Sequence, residues 1–95
     1  MSHMFCGAYS FNQDISLWDV SNVKDMSYMF SFTTSFNQNL SNWNVSNVKD
    51  MSWMFYKAKS FNQDISQWNV LNVNDKDFMF LSSIIQEEFK SSFKN

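Results

Sequence analysis

Proline is absent from this 95-residue chain, and glycine occurs once, at Gly7. The two residues that usually make turns are therefore almost missing, and other side chains must bend the backbone. Cysteine also occurs once, so Cys6 has no internal partner and a disulfide scaffold is excluded. Apolar stretches stop at four residues, far short of a membrane-spanning helix. The start, Met1 to Phe5, lacks a basic segment leading into an apolar run, so no signal peptide is visible. A net charge of −2 offers no basic surface for nucleic acid or an anionic membrane. What the chain has in quantity is aromatic side chains: eleven Phe, four Trp and three Tyr. Disordered segments are poor in such residues, and the length suits one small domain with a thin core.

Order is more informative than composition. Residues 1–25, 26–50 and 51–75 are three versions of one unit, without insertion or deletion. Units one and two agree at 16 of 25 positions, two and three at 15, one and three at 17. A partial fourth unit starts at Lys76 and fades after residue 80. A fixed period of this size signals units that bury their apolar faces against neighbours. The repeated apolar columns include Phe5/Phe30/Phe55/Phe80, Phe11/Phe36/Phe61, Ile15/Leu40/Ile65, Trp18/Trp43/Trp68 and Met4/Met29/Met54/Met79. Stacked in register, each column becomes a ladder about one strand spacing, ~4.8 Å, per step.

Within a unit, Trp18 and Val20 lie two apart, which predicts a short strand. Met26, Met29 and Phe30 follow at i, i+3, i+4 behind Asp25, which predicts one capped helical turn. Asn tolerates left-handed backbone better than most residues, so Asn12/Asn37/Asn62 and Asn22/Asn47/Asn72 are assigned to corners and to amide ladders between units.

The string from Phe11 to Phe30, FNQDISLWDVSNVKDMSYMF, resembles the 25-residue unit of the BspA-type leucine-rich repeat surface proteins, a mycoplasma-type repeat formerly catalogued as a domain of unknown function. The likeness covers residues 1–80. It implies a leucine-rich-repeat-like right-handed solenoid, with one short parallel strand and one short helical turn per coil. It also implies a cell-surface or secreted setting, with adhesion to a protein partner, including host or cell-surface proteins. The family brings no catalytic residues and no cofactor. The chain opens inside a unit, so it is expected to be a fragment or terminal part of a longer array. Residues 81–95 leave the pattern, with Ile84, Ile85, Phe89 and Phe93 on one face, and read as a C-terminal helical cap. The N-terminal unit has no such cover and is open to self-association.

Each candidate for chemistry has a plainer reading. His3 and Cys6 lie close, but no second ligand pair follows, so neither a nucleophile nor a metal site is assigned. The recurring carboxylates Asp14/Asp64 and Asp25/Asp50/Asp75 fit turn formation better than calcium, because no loop converges several of them. Only Thr33 and Thr34 could serve an ice-binding face, which is too few. What remains is surface. Positions 3, 28, 53 and 78 hold His, Tyr, Trp and Phe, changing in each unit yet always carrying a ring. Positions 6, 7 and 9 of each unit also vary, including Ser31, Phe32, Tyr56 and Lys57. Tyr28, Phe32, Trp53 and Tyr56 are thus the candidate partner anchors, unless the ring column is merely outer core. The alternative is a purely structural segment with no ligand of its own.

Overall fold

The computed structural model describes residues 1–93. Its shape follows from where each unit bends. An Asp or Asn side chain accepts a backbone N–H two residues on at three fixed places per unit: Asp14, Asp19 and Asp25 in the first, Asn39, Asn44 and Asp50 in the second, Asp64, Asn69 and Asp75 in the third. These Asx turns replace the missing glycine and proline. Immediately after them, i→i+3 turns close, from the Trp18 N–H to the Ile15 carbonyl and from the Val23 N–H to the Val20 carbonyl.

The expected leucine-rich-repeat-like solenoid is not what forms. Among the described residues the only regular element is a 3-10 helix, Glu87–Phe93. Strand character is confined to two isolated parallel bridges, Asp25 to Asp50 and Asp50 to Asp75. The reason is the spacing of the corners. Asx turns at 14, 19 and 25 leave only a few residues between bends, so the segment holding Trp18 and Val20 cannot extend into a strand. The expected helical turn after Asp25 is also absent. Tyr28 and Phe32 have φ of 59° and 59°, left-handed values that stop a helix at once. The segment is instead a chain of β-turns: the N–H groups of Met29, Ser31 and Thr33 return to the carbonyls of Met26, Tyr28 and Phe30. A positive φ at the third residue of the first and last turns is the type II pattern. The asparagines assigned to left-handed corners do not hold them. The positive-φ residues are His3, Gly7, Tyr28, Phe32, Trp53, Lys57, Phe78 and Ser82, at positions 3 and 7 of each unit.

Alternate N–H groups on this arm point the other way and join units. Tyr28, Phe30 and Phe32 donate to the carbonyls of Ser52, Met54 and Tyr56 at 2.9–3.0 Å. The same bonds link the first unit to the second and the third to the start of the fourth. Side chains repeat the linkage. Trp43 Nε1 donates to the Ile15 carbonyl at 3.0 Å and Trp68 Nε1 to the Leu40 carbonyl at 2.9 Å. Asn12 Oδ1 accepts the Asn37 N–H, and Asn37 Oδ1 the Asn62 N–H. Asn47 and Asn72 donate to the carbonyls of Ser21 and Ser46, whereas Asn22 makes no such bond among the described residues.

Rings fill the interior. Phe5, Phe30, Phe55 and Phe80 stack at 5.6, 5.4 and 5.8 Å between centroids. Phe11, Phe36 and Phe61 stack beside them at 5.6 and 6.0 Å. Burial is greatest in the middle of the stack: Phe30, Phe36 and Leu40 are wholly buried, and Trp43 is 4% exposed against 41% for Trp18. Full burial of a Phe or Leu is worth about 1.5–3 kcal/mol, and an aromatic pair about 0.5–1.5 kcal/mol more.

The cap shrinks from the predicted 81–95 helix to Glu87–Phe93, kinked at Lys90, and residues 94 and 95 lie outside the described residues. It imitates a fourth unit. The Gln86 N–H meets Asn62 Oδ1 as a further Asn backbone would, and Ser92 Oγ donates to the Ile65 carbonyl where a further indole would. No helix among the described residues is long and apolar enough to cross a membrane.

Candidate functional site

Position 3 of the unit carries the site. Its left-handed backbone turns the side chain away from the Phe columns, and the four residues there stack on one another. His3 lies 4.5 Å from Tyr28, Tyr28 5.8 Å from Trp53, and Trp53 4.7 Å from Phe78, the first two pairs nearly parallel. Tyr28 and Trp53 are half-buried, His3 is exposed and Phe78 is 55% exposed. Position 6 of the third unit and position 7 of the second widen the stripe. Tyr56 meets Trp53 edge-on at 5.0 Å, and Phe32 meets Tyr56 edge-on at 5.2 Å. The structure thus brings Tyr28, Phe32, Trp53 and Tyr56 into one ring-to-ring cluster.

Lys57 completes it. Its Nζ stands 5.5 Å from the Phe32 centroid and 5.3 Å from that of Tyr56, within cation–π range of both. Lys57 escaped sequence reasoning as an anchor, yet a signal existed. Gly7, at φ 77°, is the one glycine and occupies position 7. It marks that position as left-handed in every unit, so Phe32 and Lys57 project outward for the same reason.

Ser31 and Thr33 do not belong to this surface. Both are fully buried, with Ser31 Oγ donating to the Trp53 carbonyl and Thr33 Oγ1 to the Phe5 carbonyl. They pin the backbone beneath the rings. The stripe is therefore rigid: its backbone is bonded between units and its side chains are held by neighbouring rings. Left-handed backbone costs a non-glycine residue roughly 1–2 kcal/mol, and seven residues carry it.

Charge is sparse around it. Asp25, near His3 and the amino terminus, carries a carboxyl below its ordinary range. Burial pushes it up, but the hydroxyl and N–H of Ser27, with the positive charge of the amino terminus and His3, outweigh that. His3 Nδ1 is bonded to the Ser2 hydroxyl at 2.7 Å. Cys6 is exposed and free. Among the described residues no three His, Cys, Asp or Glu side chains gather into a metal-holding group. The arrangement offers an apolar, π-rich surface, with the Lys57 cation beside it, to whatever lies against it.

Comparison with known proteins adds a family. No curated protein and no solved structure matches the chain. A family model does match, over residues 1–94, and the chain belongs to that family, described as "Mycoplasma protein of unknown function, DUF285".

Proposed function

We propose that this chain is a non-enzymatic protein-interaction module whose aromatic stripe anchors a protein partner. The observation that carries the reading is the stack from His3 through Tyr28 and Trp53 to Phe78, flanked by Tyr56 and Phe32. Half-exposed Trp and Tyr held rigid lose little entropy on binding and dominate interface energetics. Lys57 adds a cation that favours an acidic or aromatic counterpart. The likeness of the repeat unit to that of BspA-type surface proteins supports an adhesive role at the cell surface, or in a secreted protein.

Peptides selected from a random library on the chain provide the test. Binders are expected to be lost on Tyr28→Ala/Trp53→Ala while the double variant keeps a cooperative urea transition. Peptides that bind both forms equally would place recognition elsewhere. If none can be selected and the double variant unfolds, the stripe serves the stack alone, as in a purely structural segment.

A further inference from the structure

We propose, resting on the reading of the stripe as an anchor, that its partner is an acidic segment of protein. A carboxylate of that segment pairs with Lys57, and an adjoining apolar side chain lies on Tyr56 and Trp53.

Charge is sorted by position along the unit. Positions 1–13 carry no Asp or Glu in any of the three units, and their only Lys side chains are Lys57 and Lys59. Six of the nine acidic residues stand instead at positions 14, 19 and 25, where each carboxylate accepts a backbone N–H at a turn. The first acid on the stripe's own arm is Asp77, in the partial fourth unit. It takes the position from which Ser27 and Ser52 bond back to Asp25 and Asp50. A chain of net charge −2 therefore repels an acidic segment from its turns and attracts one to the third-unit part of the stripe.

The way Lys57 is held selects an acid over a ring. Its backbone is left-handed, at φ 55°, and its N–H donates to the Leu81 carbonyl at 3.0 Å. The side chain is half-buried, with Nζ 5.5 Å from the Phe32 centroid and 5.3 Å from that of Tyr56. Its own chain thus already supplies two ring faces. No carboxylate among the described residues pairs with Lys57 or with the exposed Lys59. An ammonium has three donors and no acceptor, so what Lys57 still lacks is an anion. Held by rings, it gives up less freedom on pairing than a fully exposed lysine, whose ion pairs contribute little. Two lysines suit a short acidic run, whereas a nucleic acid calls for many more.

The rings supply the apolar half. Tyr56 touches Trp53 edge-on at 5.0 Å, and Trp53 stacks on Tyr28 at 5.8 Å. Side chains on one face of an extended segment recur every ~6.6 Å. A carboxylate on Lys57 leaves the side chains two and four residues along to Tyr56 and Trp53.

The test uses peptides selected from a random library on the full chain at about 50 mM salt, where charge is least screened. Binders that depend on Tyr28 and Trp53 are expected to carry Asp or Glu two to four residues from an aromatic or aliphatic side chain. For such a peptide, Lys57→Met, which keeps an apolar stem on the rings, is expected to weaken binding about tenfold or more, and Lys57→Arg to retain it. Replacing the peptide's acid by its amide leaves the chain untouched. It is expected to cost the same factor on the parent and almost nothing on Lys57→Met, because one pairing is lost only once. Binders that need Tyr28 and Trp53 but carry no such acid, or that lose nothing when it becomes an amide, would overturn the acidic partner and leave the stripe an anchor. Binders indifferent to Tyr28→Ala/Trp53→Ala would remove the anchor itself, and the acidic partner with it.

Discussion

The three repeated tryptophans allow the same substitution to be made with and without a lower neighbour. Trp43 is buried, and its Nε1 donates to the Ile15 carbonyl across the unit boundary. Trp68 does the same to Leu40. Trp18 makes no indole bond among the described residues and is 41% exposed. Replacing Trp43 with Phe removes one buried hydrogen bond, a net loss of about 1 kcal/mol. The Ile15 carbonyl keeps its bond from the Trp18 N–H, so the larger penalty of a fully orphaned acceptor does not apply. The smaller ring also leaves a void. About 40 Å³ of lost indole volume at ~24 cal/mol per Å³ is roughly 1 kcal/mol. The sum, about 2 kcal/mol, is a large share of the 5–15 kcal/mol typical of a domain. Trp18→Phe loses neither and is expected to cost under ~0.5 kcal/mol. Urea denaturation followed by the fluorescence of the remaining indoles reads the difference. With a slope of about 1–2 kcal/mol per molar, Trp43→Phe and Trp68→Phe are expected to lower the midpoint by ~1–2 M and Trp18→Phe by a few tenths. Equal shifts for Trp18 and Trp43 would refute the idea that the indoles lock one unit to the next.

Acid should weaken the fold through its turns. Asp14, Asp19 and Asp64 are held below their ordinary 3.8, first by the hydroxyls of Ser16, Ser21 and Ser66 and then by their N–H groups; Asp25 is lowered as well. The unfolded chain therefore takes up protons first, so stability is fully present well above 3.8 and is lost as pH falls through the lowered folded values. The urea midpoint is expected to stay flat from pH 7 to about 5 and to drop near 4, and Asp14→Asn/Asp19→Asn/Asp64→Asn to flatten the drop; an unchanged drop would show that other groups govern it. Backbone strain is testable where nothing else changes. A methyl at Gly7 meets nothing within 4 Å, so Gly7→Ala isolates the cost of φ 77°, expected at about 1 kcal/mol, while Ser82→Gly, exposed at φ 59°, is expected to gain about half that. Thermal melts of the two variants moving the same way would contradict the assignment.

The period of 25, the unit boundaries and the residues of the Phe columns are explicit in the sequence, because identical side chains recur at one interval. The conformation of a unit is less legible. Met26, Met29 and Phe30 have helical spacing and are all buried, but the β-turns that carry them bury the same residues without a helix. Spacing reports which side chains face inward, not the dihedral angles that put them there. Tyr28, Trp53 and Phe78 are the harder case, since a left-handed backbone at three aromatic residues contradicts local preference. At Tyr28 and Trp53 inter-unit bonds impose it, joining each N–H to a carbonyl 24 residues on.

The missed corner signal is present in plain form. Asp or Asn, any residue, then Ser recurs at 14–16, 19–21 and 25–27 and at their equivalents, failing only where Leu71 and Asp77 replace the serine. Asn12 and Asn22 suggest corners because Asn tolerates positive φ, whereas the corners work by accepting hydrogen bonds, which Asp does as well as Asn. That distinction has a consequence at Asn44, whose Oδ1 accepts the Ser46 N–H at 3.1 Å and its hydroxyl at 2.7 Å. Asn44→Asp keeps the acceptor and matches the first unit, where Asp19 holds Ser21 in the same way. Asn44→Ala removes it and leaves the turn unbraced, a loss comparable to that of a helix cap, about 1 kcal/mol. Denaturation at neutral pH is expected to separate the two, with Asp within ~0.5 kcal/mol of the parent and Ala clearly lower. Equal losses would mean that the amide, not the acceptor oxygen, makes the corner, and the account of how this chain bends without glycine or proline would fail with it.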